Sequence, residues 1–157
     1  MPRKYESTEC YLQPDPRYGS KLVGRFINCL MHGGKKTVAQ RVFYESLDLL
    51  GKKIPNQDPV ESFYTALGNV KPMVEVRSRR VGGATLQVPH EVRKNRQQSL
   101  SIRWVIDAAR AKKGKPMAKR LAEELFDAYN KQGSSYTKRE NTHKMAEANE
   151  AFAHFAW

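Results

Sequence analysis

The chain has 157 residues, 28 Lys and Arg against 16 Asp and Glu, and a formal net charge of +12. This length suits one domain with a substantial core, and 39% hydrophobic with 28% charged residues is a soluble, globular composition. No apolar run approaches the ~20 residues of a membrane span, the start Met1-Pro2-Arg3-Lys4-Tyr5-Glu6 carries no apolar signal core, and Cys10 and Cys29 form neither a CxxC pair nor a disulfide framework.

Residues 1–20 read as a loose arm, because Pro2, Pro14, Pro16 and Gly19 interrupt any period. Two readings of its cations Arg3, Lys4 and Arg17 stay open: contacts along a nucleic-acid backbone groove, or a solvated terminus. From Lys21 the period turns helical, with Leu22, Val23, Phe26, Ile27, Leu30 and Met31 on one face and Gly33-Gly34 as the stop. Cys29 falls inside this pattern and is expected in the core as a reduced thiol. A second helix is expected from Lys35 to Gly51, with Val38, Ala39, Val42, Phe43, Leu47 and Leu50 inward. Asp58-Pro59 opens a third, as N-cap and first helical residue, over a buried stripe of Val60, Phe63, Tyr64 and Leu67.

After Pro72 the period switches to two. Val74 and Val76 alternate with Glu75, Arg77 and Arg79; Gly82-Gly83 supplies a turn; Leu86 and Val88 alternate with Thr85 and Gln87 up to Pro89. This predicts a β-hairpin over about 73–89, one face aliphatic and the other presenting Arg77, Arg79 and Gln87. An isolated hairpin is marginal, so it must dock or bind. Leu100, Trp104, Val105 and Ile106 mark a fourth helix, with Trp104 in the core. Lys115-Pro116 opens a fifth, with Met117, Leu121, Leu125 and Phe126 inward. A last helix is expected from Lys138 to Phe155, with Met145, Ala148, Phe152 and Phe155 on one side. The expected fold is mainly α: a six-helix domain over 21–157 with one protruding antiparallel β-hairpin.

Charge is concentrated. Residues 71–120 hold 14 Lys and Arg against 3 Asp and Glu, a net of +11, whereas residues 121–157 carry −2. Three runs carry it: Arg77, Arg79 and Arg80; Arg93, Lys94 and Arg96; and Arg110, Lys112, Lys113, Lys115, Lys119 and Arg120. A single charge run is usually a solvated face, but three in fifty residues point to a polyanion. Arginine suits phosphate because its planar fork binds two oxygens at once. Few aromatics interleave with these cations, which argues against a single-strand stacking platform and for structured RNA or duplex.

Signals for catalysis are poor. Gly19 and Gly24 have phosphate-loop spacing, but Arg25-Phe26 stands where Lys-Ser/Thr is required. His32, His90, His143 and His154 are far apart and show no metal-ligand spacing. No triad signature is present. No cofactor, no metal and no enzymatic activity are expected. Lys35-Lys36 sit at a helix start, unfavourable for the macrodipole unless an anion approaches.

At the hairpin the words become specific. Asn69-Val70-Lys71-Pro72, Arg79-Arg80-Val81-Gly82-Gly83-Ala84-Thr85 and Gln87-Val88-Pro89 closely resemble the small-subunit ribosomal protein S seven family of bacterial or organellar type. Phe26-Ile27-Asn28, Gly34-Lys35-Lys36, Arg103-Trp104, Thr142-His143, Met145-Ala146-Glu147-Ala148-Asn149 and Ala151-Phe152-Ala153-His154 extend the resemblance, in order, from about Lys21 to Phe155. The resemblance implies a structural ribosomal protein, cytoplasmic and in the small subunit. It implies binding to the 3′ major domain of 16S ribosomal RNA and nucleation of head assembly. It also implies a position near the decoding region, with messenger RNA and exit-site transfer RNA close by and head and platform ribosomal proteins as neighbours. Carried over, Lys35, Lys36, Arg77, Arg79, Arg80, Arg93, Lys94, Arg96 and Arg103 belong to the RNA surface. Val81, Gly82, Gly83, Ala84 and His143 lie toward messenger and transfer RNA. Leu86, where an aromatic is common, and Asn141, where an Asp is common, depart from the usual pattern; so do Glu150 and Ala156, which stand where basic residues are frequent and make the last helix less basic. The basic charge and hairpin alone also allow an architectural duplex-DNA-binding protein.

Overall fold

The computed structural model describes residues 11–155; Arg3, Lys4, Cys10 and Ala156 fall outside them. Among the described residues the chain forms six α-helices, one two-stranded antiparallel sheet and a closing 3-10 helix. The mainly α fold with one hairpin is as expected.

Helix α1 (Lys21–Leu30) starts where the Ser20 hydroxyl accepts from the Val23 N–H at 3.4 Å. It buries Val23, Phe26, Ile27 and Leu30. Cys29 is a correction: it sits a third of a turn from Leu30 and is exposed. Helix α2 (Lys36–Lys53) continues past the expected stop at Gly51. That glycine answers packing instead, since a Cβ there would meet Pro59 Cγ at 2.9 Å. Helix α3 (Pro59–Val70) has the expected cap, with Asp58 Oδ1 accepting from the Val60 N–H at 3.3 Å.

These three helices meet at Phe26, Phe43 and Phe63, all fully buried, with ring centroids 5.2 to 5.3 Å apart. Tilted and edge-on aromatic contacts of this kind add to burial. Val38 and Tyr64, expected inward, are 50% and 38% exposed, and each lies at the margin of its helix's apolar stripe.

Strands β1 (Val74–Val81) and β2 (Ala84–Glu91) pair from Val81↔Ala84 to Val74↔Glu91. Gly82 and Gly83 adopt φ of +57° and +92°, the doubly left-handed turn that favours glycine and matches strand twist. The expected faces are corrected by the register. Leu86 and Val88 stand opposite Arg79 and Arg77, so aliphatic and cationic side chains share one face. Val74 and Val76 share the other with Pro89, Gln87 and Arg80. The buried hairpin positions are Glu75 and Val88. The hairpin docks on α6 and the 3-10 helix.

Helix α4 (Lys94–Ala111) takes Lys94 and Arg96 into its first turn and buries Ile102, Val105, Ile106 and, as expected, Trp104. Helix α5 (Met117–Tyr129) is the central rod, packed on α2, α3, α4 and α6, with Leu121 and Leu125 fully buried. Helix α6 (Ser134–Ala148) begins four residues before the expected start and ends well before the expected stop. Asn149 ends it: its backbone N–H donates to Ala146 O at 3.2 Å and its amide to Met145 O at 2.7 Å. The chain then tightens into the 3-10 helix Glu150–Phe155. Met145 and Ala148, expected inward, are exposed, and Ala146 is the buried position.

Candidate nucleic-acid interface

Helix α4 organises the basic surface. Arg96, Arg103 and Arg110 recur every seven residues, so each drifts only about 20° from the last around the axis. They form a stripe about 21 Å long at 1.5 Å per residue. All three are exposed. Asp107, the single acid of this helix, lies on the same side, one turn from Arg103 and Arg110.

At its N-terminal end the stripe meets the hairpin through Glu75. Arg96 Nε donates to both Glu75 oxygens at 2.9 Å, and Arg77 reaches Glu75 Oε1 through Nε at 2.8 Å and Nη2 at 2.6 Å. The Glu75 side chain is 10% exposed, while Arg77 and Arg96 remain 55% and 53% exposed. Burial pushes the Glu75 carboxyl up, but hydrogen bonds and charge from Arg96 and Arg77 outweigh it and hold the group below the usual carboxylate range.

At its C-terminal end the stripe meets the α1–α2 loop. Arg110 Nη2 donates to Leu30 O at 3.3 Å, and Arg120 Nη1 donates to Arg110 O at 3.3 Å and Lys112 O at 2.5 Å. These guanidinium groups satisfy carbonyls at the ends of α1 and α4. Lys35, Arg110 and Arg120 rim one shallow groove of ≈ 500 Å³ floored by Leu30, Val42 and Met117.

The expected site residues thus divide by partner. Lys35, Lys36, Arg80, Arg93, Lys94, Arg103, Lys113 and Lys119 are exposed and make no side-chain hydrogen bond or ion pair among the described residues. Arg77, Arg96 and Lys115 pair with carboxylates yet stay half exposed, Lys115 with Glu123 at 2.5 Å. Arg79 donates to Phe155 O at 2.6 Å, pinning the hairpin to the 3-10 helix. Lys112 is turned inward, against Glu124 at 2.9 Å and Asp127 at 3.1 Å. Glu124 is fully buried and also accepts from the Ser135 N–H at 2.9 Å and hydroxyl at 2.7 Å. Burial raises its carboxyl, but Ser135 and Lys112 together bring it below the ordinary value.

The hairpin tip, Val81 to Ala84, projects with Gly82, Gly83 and Ala84 exposed. His143 lies elsewhere. Its Nε2 accepts from the Met73 N–H at 3.1 Å, beside the hairpin base, roughly 25 Å of strand from the tip. Sequence reasoning missed Arg25. It bonds Gln98 of α4 at 3.3 Å, and with Arg103 it acts electrostatically on Cys29, so the exposed edge of α1 adjoins the stripe. Its signal was the i, i+4 run Lys21, Arg25 on the polar side of α1.

No helix among the described residues is long and apolar enough to cross a membrane. None of their His, Cys, Asp and Glu side chains group in threes as a metal site.

The family described as Ribosomal protein S7p/S5e matches residues 2–150. Three relatives named small ribosomal subunit protein uS7 are similar over nearly their whole length. That of Rhodopirellula baltica is 59% identical, covering 96% of this chain and 97% of the relative. That of a Nitratiruptor species is 58% identical over 93% and 94%. That of Maridesulfovibrio salexigens is 54% identical over all of both. With a hairpin and helical domain of the expected kind and this extent of identity, the chain belongs to the S7p/S5e family of ribosomal proteins.

Proposed function

We propose that the chain is a structural, non-catalytic constituent of the small ribosomal subunit that binds the 3′ major domain of 16S ribosomal RNA and nucleates the head. The observation that carries this reading is the α4 arginine stripe. It runs from the Glu75 junction at the hairpin to the groove at the α1–α2 loop, and unpaired cations flank it at Arg93 and Lys94 at one end and at Lys35 and Lys36 at the other, while Arg80 adds an unpaired cation on the other face of the hairpin. Such a face neutralises crowded phosphates and reads the shape of a folded RNA rather than its base sequence. The hairpin tip extends toward messenger RNA and exit-site transfer RNA. Residues before Tyr11, Arg3 and Lys4 among them, add basic contacts. Neighbouring head and platform proteins complete the surroundings.

Omission from a reconstitution of small subunits tests the reading. Without this chain the 3′ major domain is expected to stay loosely folded and the other head proteins to bind poorly, and adding the chain back restores both. Normal head assembly in its absence contradicts the proposal.

A further inference from the structure

Glu75 is an acid at the centre of a cationic surface, and it is nearly buried although its neighbours are open. It joins two elements that differ in rigidity. Arg96 sits in the first turn of α4, which is anchored in the core through Ile102 and Val105. Arg77 sits on a two-stranded hairpin whose backbone otherwise rests on α6 and the 3-10 helix. A two-stranded element is weakly held by itself.

Glu75 binds Arg96 through its Nε and Arg77 through its Nε and Nη2. Both terminal nitrogens of Arg96 and Nη1 of Arg77 therefore make no hydrogen bond among the described residues. A guanidinium fixed along one edge presents the rest of its fork in a set direction, which lowers the ordering cost of binding an anion. We infer that Glu75 is a positioning residue: it fixes Arg77 and Arg96 as an aligned pair for RNA phosphates and sets the angle of the hairpin against α4. This rests on the RNA-binding reading above.

Electrostatics alone and positioning predict opposite signs. Removing a carboxylate from a phosphate-binding face raises its positive potential and strengthens binding if charge is all that matters. If Glu75 positions, Glu75→Gln weakens binding despite the gain of positive charge. Glu75→Asp keeps the charge and the fold but is one methylene too short to reach both arginines, so it weakens binding as well.

The experiment measures affinity of the whole chain and both variants for the 3′ major domain RNA and for an unrelated structured RNA, with melting temperature as the check on folding. Positioning predicts a loss of roughly tenfold for each variant, with a salt dependence shallower by about one phosphate. Equal or tighter binding by folded Glu75→Gln, or unchanged binding by Glu75→Asp, overturns the inference. Equal affinity of the wild-type chain for the two RNAs counts against the ribosomal reading, while the variant contrast is still read on both.

Discussion

A cation in the sequence can serve a phosphate or the fold, and only its partner decides. Arg80 is exposed and unpaired, on the hairpin face opposite Arg77. Lys112, from the densest basic run, instead compensates the fully buried Glu124. Arg80→Ala is expected to lower the slope of log affinity against log salt by about one while stability stays within about 0.5 kcal/mol. Lys112→Ala leaves Glu124 buried without its counter-charge, at a cost of about 3 kcal/mol. Urea melts and a salt series separate the two; equal effects of both variants on RNA binding, with unchanged stability, contradict the division. Charge density was legible in the sequence, but its partition was not. The carboxylates at 124 and 127 that claim Lys112 lie twelve or more residues away, and only the fold of α4 against α5 brings them together.

Elements were read best where one period acts alone. The apolar stripes of α1 and α5 and the Asp58 cap of α3 follow from local pattern. The hairpin faces did not, although the means were present: a two-residue loop at Gly82-Gly83 forces Val81 opposite Ala84 and hence Arg77 opposite Val88. Alternation within each strand does not by itself fix which faces of the two strands coincide. The bounds of helix α6 are not legible in its sparse apolar residues, because Gly133 and the Asn149 cap set them. Its tie to the hairpin base is His143. Burial lowers the His143 pKa, Arg139 lowers it further, and Glu147 and Glu140 only partly oppose them. The neutral ring accepts from the Met73 N–H, and protonation removes that acceptor. The folded pKa is depressed, so the unfolded chain takes up the proton first. Stability is full above about 6.5, is lost as pH falls below that value, and the loss is complete beneath the lowered folded pKa. Melting curves between pH 7.5 and 5 are expected to show this loss, and His143→Gln, which keeps an acceptor but does not titrate, is expected to flatten it. An identical pH profile in the variant places the proton elsewhere.

Across the whole molecule, charge and packing are segregated. The three phenylalanines and the central α5 hold a core that leaves one edge of α4 open, with the hairpin at one end and the α1–α2 loop at the other. A net of +12 on such a frame makes binding steep in salt: neutralising ~6–10 phosphates costs orders of magnitude in affinity between low and moderate ionic strength. The most direct measurement is binding of the chain to the 3′ major domain of small-subunit ribosomal RNA across a salt series, with duplex DNA as competitor. Tight, salt-steep binding that duplex DNA does not displace is the expected result. Equal affinity for the duplex contradicts it and leaves a generic basic binder of the architectural kind.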